Sequence, residues 1–194
     1  MFSSCSSLSS FSLSNFDTQN VADFNNMFSE CVSLTSINIA NFNTKNATNM
    51  KYMFSNCKNL KSINLLNFNT HKVNKLNAIF FGCNSLTSIN LSNFNTKNVD
   101  DMKQMFQDCS SLKFLNLSNF DTESVTDMRN MFYNCINLIT LDISSFRNYK
   151  YESKIYFQHL FKGIPSSSNI IINKNFYEHK YVKYQLISLN TIYY

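Results

Sequence analysis

The stretch from Val99 to Phe120, VDDMKQMFQDCSSLKFLNLSNF, is the clearest copy of a unit that recurs through most of this chain. The recurrence has a fixed 26-residue period, because the six cysteines follow one another at the same interval without exception. They are Cys5, Cys31, Cys57, Cys83, Cys109 and Cys135. A period of ~20–50 residues is typical of repeat architectures, in which each unit packs on its neighbours. The sequence therefore predicts a single repeat domain.

One short strand is predicted in every unit. In the quoted copy, Leu115 and Leu117 lie six and eight residues after the cysteine and alternate with Phe114, Asn116 and other residues of the opposite face. This alternation is typical of a strand with one buried face. The first unit has Phe11 as its first inward residue and Ser12 as its outward neighbour. Because the strands all run in the same direction, they must form a parallel sheet.

The other half of the unit predicts a short helix. Val99, Met102, Met105, Phe106 and Cys109 are spaced as on one face of a helix. Parallel strands joined by helices give a right-handed curved array. The predicted fold is therefore an α/β repeat, a right-handed solenoid of 26-residue coils with a parallel β-sheet on one side and short helices on the other.

The repeat predicts two regions, a solenoid over residues 1–146 and a degenerate last repeat with a C-terminal cap over 147–194. The sequence begins in the middle of a repeat, because Met1 and Phe2 match Met105 and Phe106, and this indicates an uncapped N-terminal coil. In the second region, Ile164 takes the place of the cysteine after a shift of three residues, and residues 170–172 predict a late strand. The tyrosines that follow favour a cap over the last coil.

The net charge of +5 comes entirely from the C-terminal region. Residues 1–146 carry ten basic and ten acidic side chains, whereas residues 147–194 carry seven and two. A nucleic-acid groove needs a continuous basic stripe along the repeats, so we expect no nucleic-acid partner. The basic tail suits either a solvated cap or contact with an acidic membrane or polymer. No apolar run approaches the ~20 residues of a membrane span, and the N-terminus has no secretory signal pattern.

The cysteines are predicted to form a buried ladder in the core. Equivalent positions on neighbouring packed helices lie ~8–10 Å apart, which exceeds the ~7 Å between Cα atoms that a disulfide spans. Disulfides between adjacent coils remain an alternative if the cysteines lie on the strand side. Zinc is disfavoured, since the chain has neither a CxxC pair nor paired histidines.

No other side chains predict catalysis, a cofactor or a metal centre. His71, His159 and His179 occupy unrelated positions in the repeat and are expected at the surface. Asp100 and Asp101, with Asp108 nearby, fit helix-start caps, and the alternative is a carboxylate pair or a weak calcium site. We therefore predict that the protein is not an enzyme.

The repeat resembles a known family. The motifs NFNT (93–96) and NFDT (119–122), the Met-Phe pair and the Cys-x-x-Leu step together resemble the leucine-rich-repeat units of BspA-like surface proteins. The resemblance covers residues 1 to about 146. It implies a non-enzymatic solenoid used for recognition and adhesion, at the cell surface or outside the cell. Without a signal segment in the sequence, an intracellular location stays open.

The concave sheet face is the predicted binding surface, because it carries a ladder of exposed amides and hydroxyls. Phe114 interrupts the hydroxyl ladder and is predicted as a contact. The predicted ligand-binding residues are Asn38, Asn64, Asn90, Phe114 and Asn116. The predicted partner is a protein or glycan on another cell or host surface. The alternative is a structural scaffold segment, or a fragment of a longer array, that associates with itself through the N-terminal coil.

Overall fold

The computed structural model describes residues 1–9, 13, 15–147 and 156–193. Phe11 and Ser12 of the first predicted strand lie outside these residues. The strands of the described chain are β1 (Phe114–Asn116), β2 (Thr140–Ile143), β3 (Asn169–Ile172) and β4 (Asn190–Tyr193). The helices are α1 (Lys174–Tyr177) and α2 (Lys180–Leu186), both between β3 and β4. The strands form one parallel sheet in the order β1-β2-β3-β4.

The strand register follows the sequence repeat. Leu115 in β1 pairs with Leu141 in β2, one repeat period later. Leu141 pairs in turn with Ile170 in β3, which confirms a late strand at residues 170–172 with a shift of three residues. The unit that precedes β1 is joined to the sheet by an isolated parallel β-bridge between Ser88 and Phe114. The parallel sheet of a repeat fold is thus confirmed, although the described residues form continuous strands only from Phe114 onward.

The inward residues of β1–β3 are buried as predicted, whereas the equivalent residues Ile37, Ile63 and Ile89 of earlier units are half-buried. Leu115, Leu117, Leu141 and Ile143 are at most 3% exposed, and their counterparts Ile170 and Ile172 in β3 are fully buried. Burial of one face and exposure of the other follows from the two-residue period of a strand. This periodicity fixes which side chains the sheet presents to solvent.

The prediction of a short helix in every unit was wrong. In the described chain both helices lie after Asn173, and Met102–Cys109 instead forms a series of tight turns. Gln104 and Asp108 have φ values of 59° and 60°. A helix cannot continue through residues in this left-handed region. The apolar spacing nevertheless buries Met102, Met105, Phe106 and Cys109, because three overlapping turns of four residues, closed by the N–H groups of residues 105, 107 and 109, bring them to one side.

Hydrogen bonds between units replace those of the predicted helix. Alternate N–H groups of the turn segment donate to carbonyls of the following unit, each at 2.9 Å. The donors are Met102, Gln104, Phe106 and Asp108, and their respective acceptors are Asp127, Arg129, Met131 and Tyr133. The intervening N–H groups bond within the turns; that of Met105, for example, donates to the Met102 carbonyl at 3.2 Å. The backbone donors of this buried segment are therefore all satisfied, as a folded core requires.

A column of phenylalanine rings runs through the units beside the turns. The rings stack at centroid distances of 5.6–6.1 Å. The stacked residues are Phe28, Phe54, Phe80, Phe106, Phe132 and Phe161. Phe161 lies three residues before Ile164, as Phe132 does before Cys135, which confirms that Ile164 takes the cysteine position. The column therefore continues into the degenerate last repeat.

The NFNT motif joins each unit to its two neighbours. The Asn93 amide donates to the Leu65 and Phe68 carbonyls of the preceding unit at 3.0 and 2.8 Å, and Phe94 is buried. The buried Thr96 hydroxyl accepts the Asp121 N–H and donates to the Asp121 carbonyl, both at 2.8 Å. Thr44, Thr70 and Thr122 make the same pair of bonds. The motif is thus explained by contacts between units.

The C-terminal cap is built mainly on apolar residues other than tyrosine. Phe176 in α1 is buried against Phe146 and Phe157, with centroid distances of 5.7 and 5.8 Å. Val182 and Leu186 in α2 are also buried, whereas the α2 tyrosines point outward. β4 then adds a fourth strand beside β3. The prediction that tyrosines cover the last coil was therefore wrong for α2.

Removing one ring from the column tests its energetic role. We expect Phe106→Ala to lower the free energy of unfolding by about 3–5 kcal/mol, because the buried ring leaves a cavity between two neighbours. Phe114→Ala is the matched control, since Phe114 is 55% exposed and its loss should change stability by only about 0.5 kcal/mol. Urea unfolding followed by circular dichroism measures both, and equal midpoints for the two variants would contradict the prediction.

The threonine bonds permit a second stability test. Thr96→Val keeps the side-chain shape but removes the hydroxyl that pairs with Asp121, so we expect a loss of about 1–3 kcal/mol in the free energy of unfolding. Thr96→Ser retains the hydroxyl and should lose less. Thermal and urea unfolding of the two variants compare them directly, and a Val variant as stable as the Ser variant would argue against a role for these bonds.

Candidate functional site

The predicted binding residues share one exposed face. We call this surface the sheet face, and define it by the outward residues of β1–β4 and by their equivalents in earlier units. Asn38, Asn64, Asn90, Phe114 and Asn116 are all exposed. β1 has Phe114 and Asn116 on the sheet face and Leu115 in the core. The structure therefore places all five predicted residues where a ligand can reach them, on successive units of the same repeat.

Three of the five residues surround a hollow of about 560 Å³ on the sheet face. They are Asn90, Phe114 and Asn116, whereas Asn38 and Asn64 lie in earlier units and do not line it. The hollow also includes Thr140 and Asp142 from β2 and Ile171 from β3. Its volume falls within the range of ~300–1,000 Å³ that is usual for small-molecule sites.

The additional lining residues follow from the strand register. Thr140 lies beside Phe114, and Asp142 beside Asn116, one period further along the chain. Ile171 lies beside Asp142. Thr140 and Asp142 continue the two outward rows by one repeat period, and Ile171 lies in the late strand that the three-residue shift predicts. The sequence thus predicts the positions of these residues, but it did not identify them as part of the site.

The amide side chains of the sheet face are held by their own backbone. The Oδ1 atoms of Asn90 and Asn116 accept the N–H groups of Ser92 and Ser118 at 3.0 and 2.9 Å. Asp142 accepts the Ser144 N–H in the same way at 3.0 Å. These short local bonds turn the chain at the end of each strand. Each side chain is thereby fixed, and its second polar atom is left for other contacts.

Phe114 is the largest apolar group at the hollow. Its side chain is 55% exposed, and its neighbours in the row are the smaller Ser88 and Thr140. Among the described residues, no aromatic ring or cation lies against its ring. Single exposed apolar side chains are common at protein surfaces, so the position of Phe114 in the lining of the hollow, rather than its exposure, makes it a candidate contact.

Five of the six cysteines form the predicted buried ladder, whereas Cys5 is exposed, and the spacing argument behind the prediction was wrong. Cys31, Cys57, Cys83, Cys109 and Cys135 are fully buried, and all six thiols are free. Their units are joined by direct backbone hydrogen bonds, so they are closer than packed helices. Each buried thiol donates to a phenylalanine carbonyl of the preceding unit, as Cys109 does to Phe80 at 3.2 Å. These thiols are packing groups of the core.

Burial also determines the acidity of the thiols. Burial, together with a smaller contribution from the nearby Cys31 thiol, raises the pKa of Cys57 to about 12. Burial likewise raises the pKa of Cys135 to about 12, and it raises those of Cys83 and Cys109 well above the usual value. Since the thiolate is the reactive form, these groups are unsuited to nucleophilic chemistry at neutral pH.

The histidines lie apart from the hollow. His71 and His159 are exposed, as predicted. His179 is half-buried instead, with its ring 4.8 Å from that of Phe157. Its Nδ1 atom is buried and has no hydrogen-bond partner among the described residues. The ring contact indicates that His179 belongs to the packing of the cap.

The carboxylates near Asp100 do not cap helices, since no helix starts there. Asp100 pairs with Lys75 at 2.7 Å. The Asp101 carboxylate accepts the Lys103 N–H at 3.0 Å, and burial raises its pKa. Asp108 accepts the Asn134 amide at 2.8 Å. Within the described part of the chain, no group of three or more His, Cys, Asp or Glu side chains is placed to hold a metal ion.

Comparison with known proteins gives the family. The model of the family described as "Mycoplasma protein of unknown function, DUF285" matches residues 1–64 and 58–174. The chain therefore belongs to this family, and the match includes β1–β3 with the residues of the hollow. Comparisons with curated proteins and with solved structures gave no significant match. In the described residues, no helix has the length and apolar character needed to cross a bilayer.

Thiol labelling tests the cysteine ladder. In the native protein we expect iodoacetamide to modify only Cys5, because Cys5 is exposed and the other five thiols are buried. At pH 9 the pattern should persist, since the pKa of Cys57 near 12 keeps this thiol protonated. In denaturant all six should react. Intact-mass spectrometry counts the labels, and rapid native labelling of several thiols would contradict the buried ladder.

Proposed function

We propose that this protein is a non-enzymatic leucine-rich-repeat solenoid that acts as a recognition or adhesion module through its sheet face. Its units pack in sequence order, and each contributes outward residues to one continuous surface. Repeat proteins commonly use such extended surfaces to bind partners. The partner would be a protein or glycan on another cell or host surface, and the protein would act at the cell surface or outside the cell.

The observation that carries this proposal is the exposed Phe114 at the centre of the hollow. Binding hot spots typically combine an aromatic anchor with a ring of polar groups that can exclude water. Phe114 lies between Ser88 in the preceding unit and Thr140 in the following one, and all three line the hollow. The equivalent residues in the neighbouring units, Ser88 and Thr140, are small and polar. The packing of the repeat therefore does not require an aromatic ring at position 114.

A structural scaffold is the second candidate. The Phe2 ring stacks on the Phe28 ring at 5.6 Å, so the ring column includes the described part of the first unit. Because the described units join through the same groups, another chain with the same repeat would find complementary groups on this array. In this case the function is end-to-end association, and the sheet face is only the solvated side of the array.

An immobilised array tests the recognition proposal. It would carry neutral, sialylated and sulfated glycans together with extracellular-matrix proteins, and the labelled protein would be applied over a concentration series. We expect the wild type to bind at least one ligand and Phe114→Ala to bind it about tenfold more weakly or worse, a loss of about 1.4 kcal/mol.

Leu66→Ala is the matched control for this experiment. Leu66 is 53% exposed but does not line the hollow, so its removal should leave binding unchanged. Equal binding by wild type and Phe114→Ala would contradict a role for the hollow. Sedimentation velocity over the same concentrations tests the scaffold candidate, which requires mass to increase with concentration while the array stays unbound.

A further inference from the structure

The charge and the hydrogen-bonding groups of the lining residues restrict the class of ligand that the hollow can bind. Among the described residues that line it, Asp142 is the only ionisable one, and none is a Lys, Arg or His. An anionic ligand would therefore meet no compensating charge and one repulsive carboxylate. The surrounding hydroxyl groups, including Ser88 and Thr140, both donate and accept hydrogen bonds. These features favour a ligand that is uncharged and rich in hydrogen-bonding groups.

Three polar side chains at the hollow lie in one row across successive units. Asn90, Asn116 and Asp142 occupy equivalent positions on three successive units, ~4.8 Å apart. Each uses Oδ1 to accept a backbone N–H, as described above. The Nδ2 groups of Asn90 and Asn116 donate to no described residue, and Oδ2 of Asp142 accepts from none. The hollow therefore presents two donors and one acceptor whose side chains are already immobilised, which lowers the entropic cost of binding.

Phe114 adds an apolar platform beside these groups. Its side chain is 55% exposed, and Ile171 is a second apolar residue in the lining of the hollow. A pyranose ring has the matching character, because its C–H groups form an apolar face and its hydroxyls project around the edge. Such a C–H face can pack on an aromatic ring while the hydroxyls form hydrogen bonds with polar groups beside it.

An extended peptide fits this surface less well. Peptides that bind sheets usually add a strand at an edge, where backbone N–H and C=O groups are free. β1, β2 and β3 pair with their neighbours over the hollow, so their backbone groups are engaged. A peptide lying across the sheet face would have to desolvate its own backbone without such partners.

We infer that the hollow is a binding site for a neutral carbohydrate, with one sugar ring on Phe114 and its hydroxyls bonded to Asn90, Asn116 and Asp142. This inference rests on the proposed use of the sheet face for recognition. The site selects uncharged hexose or N-acetylhexosamine units, and it discriminates against sialylated or sulfated glycans through Asp142 and the absence of a lining cation.

Titration with defined sugars tests this assignment. The probes are lactose and the trimer of N-acetylglucosamine as neutral glycans, with 3′-sialyllactose as the anionic comparison. Two-dimensional NMR of the labelled protein follows the amide signals. We expect a neutral probe to shift the signals of residues 88–92, 114–118 and 140–142, and 3′-sialyllactose to bind at least about tenfold more weakly than lactose.

Asn116→Asp is the decisive variant. An aspartate keeps the oxygen that accepts the Ser118 N–H, as Asp142 does for Ser144 in the next unit, so the turn is preserved. It replaces the Nδ2 donor by a second acceptor, and we expect neutral-sugar binding to fall about tenfold. Asn38→Asp makes the same change outside the hollow, where Asn38 accepts the Ala40 N–H, and should leave binding intact.

The outcomes separate this inference from the proposed function. Binding of neutral sugar that depends on Phe114 and on the Asn116 amide supports both. No binding of either neutral probe, or preference for 3′-sialyllactose, overturns the carbohydrate assignment. If Phe114→Ala then still abolishes binding to a protein on the array, recognition by the sheet face stands with a protein ligand. If Phe114→Ala and Asn116→Asp bind every array ligand like wild type, the proposed function fails as well.

Discussion

The structure depends on backbone hydrogen bonds that join each unit to the next at a fixed separation in sequence. Met102, Gln104, Phe106 and Asp108 donate their N–H groups to carbonyls that lie one position short of a full repeat period, and equivalent residues do so along the array. A buried turn cannot leave such donors unsatisfied without a free-energy cost of about 1–3 kcal/mol each. An insertion within the turn segment itself would break this register, whereas the three extra residues that precede Tyr156 leave it intact, since Phe132 still donates to the Leu160 carbonyl. The ladder therefore restricts the length of the turn segment in each unit.

The same constraint aligns the side chains into rows. Because the backbone repeats, side chains at equivalent positions of successive units form a row along the array. The same residue type recurs in a row where core packing or turn geometry requires it. The phenylalanine column, the buried thiols and the Thr96 row are examples. The amides of the sheet face are also explained in part by geometry, since their Oδ1 atoms hold the turns after the strands. Phe114 differs, because no structural requirement of its row calls for a ring.

The sequence was sufficient for the repeat, the parallel sheet, the buried face of each strand and the residues around Phe114. It was misleading for the turn side, because tight turns of four residues bury the same positions as a short helix. The signal that distinguishes the two was present one residue before the cysteines, where Asn56, Gly82, Asp108 and Asn134 favour a positive φ. The hollow itself was not predictable, since the repeat gives the rows in which its lining residues lie but not the space between their side chains.

The turn segments also give the array a direction. Residues 102, 104, 106 and 108 point their N–H groups toward the following unit, while the carbonyls of residues 101, 103, 105 and 107 receive those of the preceding one. In its turn segment, each of these units therefore presents N–H donors to the following unit and carbonyl acceptors to the preceding unit. Two surfaces of the same kind repel each other, because neither offers a complementary partner. Units of this type can be joined only head to tail, whether within one chain or between chains, and a symmetric head-to-head contact along the array axis is chemically unfavourable.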